Sequence, residues 1–148
     1  MSRHDATYKL LWVGDAVLPT GFGRVSTEIL SYLHKQLDYV NPPRMKGCDK
    51  RSWEIVQLGV NYWGDPHDLP YRIYPAVAYG GDPLGIARIA EVYAKEKPDL
   101  VVCLNDPWIV AMYLEQLPPD AKVVAYMPVD AEHVWCGAAL NRLTLAIC

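Results

Sequence analysis

The stretch YKLLWVGDAVLPTGFGRVSTEILSYLHKQL, residues 8–37, decides the fold. It opens with a compact apolar run, residues 8–13 (YKLLWV), that ends at Gly14. Such a run fits a strand buried on both faces. Pro19, Gly21 and Gly23 then interrupt the pattern, and Val25, Ile29, Leu33 and Leu37 recur at every fourth residue. That spacing is one face of a helix, predicted from about Arg24 to Leu37. A strand, a glycine-bearing loop and an amphipathic helix, in that order, open a βαβ unit.

The same alternation continues along the chain. Residues 41–52 (NPPRMKGCDKRS) are polar and basic and read as a surface loop, followed by a second strand at 53–60 (WEIVQLGV). Residues 61–70 are irregular, and residues 71–76 (YRIYPA) form a short strand near an edge, because Pro75 cannot donate to a ladder. A turn at Tyr79 leads from Pro83 into a helix whose inner face is Ile86, Ile89, Ala90 and Tyr93 and which ends before Pro98. A strand at 99–104 (DLVVCL) follows. Asp106 and Pro107 then open a helix with Val110, Tyr113, Leu114 and Leu117 inward. The strand at 122–127 (KVVAYM) and a short helix running into residues 143–148 complete the pattern. Strands alternating with helices imply a doubly wound α/β fold: a mainly parallel, Rossmann-like sheet with helices on both faces.

Composition narrows the class. The chain has 148 residues, enough for one domain that buries roughly 70% of its unfolded surface. Apolar residues at 51% and charged residues at 21% exclude a disordered tail or a coiled coil. A net charge of −3 without a long Lys/Arg run argues against a dedicated nucleic-acid binder. Cys48, Cys103, Cys136 and Cys148 show neither a CxxC pair nor zinc spacing, and His133 with Cys136 has no second ligand pair, so no metal site is expected. Cys103 reads as a small buried hydrophobe. The polar N-terminus lacks a signal-peptide core, and no segment is long and apolar enough to span a bilayer, so a cytoplasmic location is expected.

In doubly wound sheets ligands bind beyond the carboxyl ends of strands, where the strand order reverses. The candidate binding residues are therefore Asp15, Gly21, Gly23, Asn105 and Asp106, and the candidate catalytic pair is Asp130 and His133 in PVDAEHV. Gly21 and Gly23 precede a helix whose N-terminal amides could receive an anion, or they serve only to turn the chain. Asp15 could accept a hydrogen bond from a hydroxyl, or order its own turn. Asp106 reads first as a helix cap, which leaves Asn105 the better ligand candidate. Asp130 beside His133 suits proton transfer or orientation of a hydroxyl, or is a solvated turn. Ser26 at the third glycine position and Asn61 at the end of the second strand weaken a dehydrogenase fingerprint, and no GK[ST] marks a P-loop. Aromatic residues gather at Tyr62, Trp63, His67, Tyr71, Tyr74 and Tyr79; Tyr74 reads as packing, and Trp63 equally as packing or as a face for a sugar ring or nucleobase.

Four segments carry a resemblance: LWVGDAVLPTGFGRVSTEIL, LGVNYWGDPHDLPYRIYPA, KPDLVVCLNDPWIVAMYLE and VVAYMPVD. In order and spacing they resemble the N-terminal domain of GT-B glycosyltransferases, most closely the family-4-like retaining enzymes of bacteria and phages. The resemblance implies transfer of a sugar from a nucleotide-sugar donor to an acceptor, without a cofactor or metal. It implies that this half mainly holds the acceptor and that a C-terminal half binds the donor. Gly21 and Gly23 would then approach the donor phosphates and acceptor, and Asn105 and Asp106 would line the cleft. Pro128 stands where many relatives carry a His, with Asp130 two residues later.

A single domain of residues 1–148, ending at LTLAIC in an apolar strand pattern, is expected to be a half-enzyme that needs a C-terminal half for turnover. The alternative is a non-catalytic interaction module on the same scaffold, with self-association through the face that would meet a second domain.

Overall fold

The computed structural model describes residues 7–39, 52–77, 81–128 and 136–148. In chain order the elements are β1 (Thr7–Asp15), α1 (Gly21–Tyr39), β2 (Ser52–Val60), β3 (Arg72–Pro75), α2 (Arg88–Glu96), β4 (Leu100–Leu104), α3 (Pro107–Gln116), β5 (Val123–Tyr126), α4 (Gly137–Leu140) and β6 (Leu145–Ile147). The strands form one sheet in the order β3-β2-β1-β4-β5-β6, and every neighbouring pair is parallel. This is the doubly wound, Rossmann-like α/β architecture. The order reverses at β1, which pairs with β2 from Thr7↔Ser52 to Asp15↔Val60 and with β4 from Leu10↔Leu100 to Val13↔Cys103.

Alternation along the strands divides the core between the two faces of the sheet. Leu11, Val13, Val56, Leu58, Val101 and Cys103 point one way and pack with Ile89 and Val92 of α2 and Val110, Tyr113 and Leu114 of α3. Leu10, Trp12 and Ile55 point the other way and pack with Leu30 of α1. Trp12 satisfies its indole N–H by donating to Ser26 Oγ at 3.0 Å, which ties β1 to α1 inside this second core. Burial pushes the Cys103 thiol up to about 12, so it is inert packing.

Several boundaries differ from the sequence reading. The first helix begins at Gly21 rather than Arg24, because Thr20 caps it: Gly23 N–H donates to Thr20 Oγ1 at 2.9 Å. The helix predicted from Pro83 begins only at Arg88. Ahead of it Gly85 takes φ +70°, and Asp82 accepts from Ala87 N–H at 2.9 Å, so this segment forms a turn. Of the expected inner face, Ile89 is fully buried and Ile86 and Tyr93 pack partly buried against the core, while Val92 and Glu96 are the other buried residues of α2. The short strand at Arg72–Pro75 is an edge strand, as Pro75 requires. The predicted loop at 41–52 and the turn at Tyr79 fall almost wholly outside the described residues.

Glu96 turns inward because cations and a hydroxyl meet it there. Lys9 Nζ lies 2.8 Å from Glu96 Oε2, Arg72 lies 3.3 Å away, and the Tyr74 hydroxyl donates to Oε1. Glu54 extends the network to Lys9 at 3.4 Å and Arg72 at 3.0 Å. Tyr74 also receives Lys95 over its ring at 4.9 Å, so its predicted packing role includes holding charge in place. Burial raises the Glu96 pKa, but the bonds from Lys9 and Tyr74 and the charge of Arg72 outweigh it and hold the carboxyl below its usual range.

A depressed carboxyl pKa adds stability that is present above the unfolded-state value and is lost as pH falls through the folded-state value. Glu96→Gln is therefore expected to cost about 1–3 kcal/mol at pH 7, mainly from the Lys9 and Tyr74 bonds. Arg72 is 53% exposed and adds little. Urea unfolding should show the wild-type advantage shrinking below about pH 4.3. An advantage unchanged by acid would contradict this account.

Candidate functional site

Because β1 leads towards β2 on one side and the chain returns through β4 on the other, the loops after β1 and β4 diverge. The crevice between them is the expected ligand position in this topology. Asp15 ends β1 there and is only 7% exposed. Its Oδ2 accepts from Thr20 Oγ1 at 2.7 Å, and its Oδ1 accepts from Asn61 Nδ2 at 3.1 Å. Thr20 passes the connection to the Gly23 amide at 2.9 Å. From below, the buried Gln57 donates to the carbonyls of Gly14 and Asp15 at 3.2 and 3.1 Å. One carboxylate thus binds the end of β1 to the first residue past β2 and to the cap of α1. A carboxylate has about four acceptor directions, so Asp15 keeps roughly two for a ligand hydroxyl.

The backbone around Asp15 is strained. Val17 has φ +56° and Asn61 has φ +55°. For β-branched Val17 this is a true outlier, of order 1–3 kcal/mol, held by the surrounding bonds. Val17 is nevertheless exposed at the mouth of the crevice.

On the β4 side the expected side-chain cap is not formed. Asp106 occupies the N-cap position of α3, but its side chain makes no capping bond; Pro107 follows in the first turn. Asp106 is only partly buried, which leaves its carboxylate for a ligand. Asn105, the better candidate by sequence, is 6% exposed, and its Oδ1 accepts from the Asp106 amide at 2.9 Å. Next to it Tyr113 is fully buried and donates to the Leu84 carbonyl at 2.6 Å. Burial pushes the Tyr113 hydroxyl far up, with the Asn105 side chain a hydrogen-bonding neighbour acting the other way. Asn105 therefore shapes the crevice floor, and Asp106 faces outward above it.

The two glycines also separate. A Cβ on Gly23 would collide with the Leu18 carbonyl oxygen and come within 2.9 Å of Thr20 Oγ1, so the loop itself demands glycine there. A Cβ on Gly21 would meet nothing within 4 Å. Gly21 leaves open space at the start of α1, and Gly23 is needed for the close approach of the Leu18 carbonyl and the Thr20 hydroxyl. Asp130 and His133 lie outside the described residues. Thr20 and Gln57 were not singled out from sequence, and Asn61 only as a residue that weakens a dehydrogenase fingerprint. Only Thr20 carried a readable signal, as a cap residue just ahead of a helix.

No group of three or more His, Cys, Asp and Glu side chains among the described residues is arranged to hold a metal. No helix among them is long and apolar enough to cross a membrane. A separate, almost wholly apolar cavity of about 340 Å³ lies towards the amino ends of the strands, between α1 and residues that include Trp12, Trp53 and Leu100. It sits away from the polar crevice and offers no group for chemistry. Comparison of the chain with protein-family models gives no match, and comparison with curated proteins gives none.

The two glycines give a direct test of this geometry. Gly23→Ala should lower stability by about 1–3 kcal/mol, as expected of an overpacked site. Gly21→Ala should be neutral, or stabilising by up to about 1 kcal/mol. Thermal unfolding of both variants measures the difference, and equal melting temperatures would refute the assignment.

Proposed function

We propose that this chain is the acceptor-side half of a GT-B glycosyltransferase. One observation carries the reading. At the strand-order reversal, where this topology places ligands, the buried carboxylate of Asp15 ends β1 and the carboxylate of Asp106, which makes no capping bond, follows β4. Carboxylates with free acceptor directions suit hydroxyl groups.

Charge separates the two substrates. Residues 16–20, Asn61, Asn105, Asp106 and Pro128, just past the strand ends, include no Lys or Arg. The nearest cation in sequence after β1 is Arg24, exposed on the first turn of α1. A diphosphate placed against Asp15 would face a carboxylate tempered only by a hydroxyl and an amide. The crevice therefore suits the neutral acceptor, and stabilisation of the leaving nucleoside diphosphate comes from a second, donor-binding domain. Gly21 and Gly23 accordingly belong to the acceptor side rather than to the donor phosphates.

In the reaction, an acceptor oxygen forms a bond to the anomeric carbon as the bond from that carbon to the diphosphate breaks. The acceptor proton leaves to a base. Asp15 and Asp106 orient the hydroxyl, and Asp130 with His133 is the proton-transfer pair of this reading on sequence grounds.

Transfer from a nucleotide sugar is expected only when a donor-binding domain is supplied together with this chain. Asp106→Asn should then lower kcat/KM by about ten- to a hundredfold with little change in melting temperature. Absence of saturable binding to any nucleotide sugar or acceptor, even with that domain present, would overturn the proposal.

A further inference from the structure

Trp63 stands out in the loop after β2. Its side chain is 69% exposed, although an indole is among the costliest side chains to leave in water. Packing, one of its two readings from sequence, does not account for that position. The backbone that presents it is firmly held. Asn61 N–H donates to the Pro83 carbonyl at 2.7 Å, and Tyr62 N–H donates to the Gly59 carbonyl at 3.3 Å. The Tyr62 carbonyl accepts from Val77 N–H at 3.3 Å, and its hydroxyl donates to the Asp65 carbonyl. The buried Tyr62 ring meets His67 edge-on at 6.1 Å. Left-handed backbone at Asn61 (φ +55°) and Gly64 (φ +100°) brackets the tryptophan. Turn backbone on both sides, held by the hydrogen bonds around Asn61 and Tyr62, marks an exposed aromatic ring as presented rather than loose.

Chemistry nearby names the class of ligand. Asn61, two residues before Trp63, binds Asp15 through one amide hydrogen and has a second amide hydrogen and a carbonyl oxygen to offer. Two residues of chain span at most about 7 Å, so the backbone of Trp63 lies close to that of Asn61, the partner of Asp15. The loop also carries exposed Asp65 and Asp68 and no Lys or Arg between residues 61 and 70. Such surroundings repel a phosphate-bearing nucleotide and favour a neutral ring with many hydroxyls. We infer that Trp63 is a stacking platform for a pyranose ring of a carbohydrate acceptor, whose hydroxyls reach Asn61 and Asp15. This rests on the acceptor-side reading above and adds the class of acceptor.

The indole Nε1–H signals of the five tryptophans, read by NMR in the full chain, test it. The Trp63 signal is identified by its loss in Trp63→Phe. Maltose, cellobiose and uridine are titrated separately. The expected result is a saturable shift of the Trp63 signal with at least one disaccharide, while Trp53, at the amino end of β2, stays still. Trp63→Ala should weaken that disaccharide about tenfold, read at the Asn61 side-chain amide, with an unchanged melting temperature. Trp63→Phe should keep part of the affinity, as an aromatic face remains. Disaccharide shifts confined to Asn61 and Asp106, with Trp63 still, would overturn the platform but leave the acceptor reading. Uridine moving Trp63 where the disaccharides do not would overturn the carbohydrate class. No shift with any of the three would overturn the platform, while the acceptor reading falls only by the test with a donor-binding domain present.

Discussion

Parallel pairing of β1 with β2 on one side and β4 on the other is the constraint from which the other features follow. A parallel neighbour must be reached by a crossover, and a right-handed crossover fixes the face on which the connecting segment lies. Moving from β1 to β2 places α1 on one face; returning from β3 to β4 places α2 on the other, and passing on from β4 to β5 places α3 there too. With both faces to be covered, the strands must be apolar on both, as residues 10–13 are. The same reversal separates the loops after β1 and β4 and leaves the crevice that Asp15 borders. Fold and candidate site are thus two results of one pairing.

That crevice is held open by a short chain of polar contacts. Asp15 joins Asn61 to Thr20, and Thr20 joins α1 through the Gly23 amide. The loop between Asp15 and Thr20 holds Val17 at φ +56°. A core residue at such a cost would be hard to explain; at the mouth of a ligand crevice it fixes where the Asp15 carboxylate points. Gln57 supports the same position from inside by occupying two carbonyls that the end of the β1 ladder leaves open.

The fold was legible in the sequence because burial on both faces writes itself as short apolar runs, and helices write themselves as a period near four. Val110, Tyr113, Leu114 and Leu117 were placed inward correctly for that reason. Where polar chemistry overrides the pattern, the reading failed. Glu96 is buried at the end of α2 because Lys9, Arg72 and Tyr74 come from β1 and β3, which no local period reveals. The start of α2 was misplaced because Gly85 and Asp82 make a turn that looks helical in its apolar spacing. Strand-end position singled out Asp15, Asn105 and Asp106, which the structure places at the carboxyl ends of β1 and β4. It could not distinguish the buried Asn105 from the outward Asp106, since that depends on whether one side chain caps a helix. Asn61 was invisible as a partner of Asp15 because their contact spans two strands.

Charged groups are divided between the two ends of the sheet in a way that separates stability from binding. At the amino ends of the strands Lys9, Glu54, Arg72 and Glu96 satisfy one another, and the Lys9 backbone amide also donates to Asp99 at 2.7 Å. Those groups have little left for a ligand. At the carboxyl ends Asp15 is instead matched with neutral donors, a threonine hydroxyl and an asparagine amide, and Asp106 makes no capping bond. A carboxylate met by a cation is spent on holding the fold, because the pair is strongest when nothing else intervenes. One met by neutral donors keeps its charge and part of its acceptor capacity. That difference, more than the number of polar residues at either end, is why the carboxyl-end crevice is the place to look for a ligand.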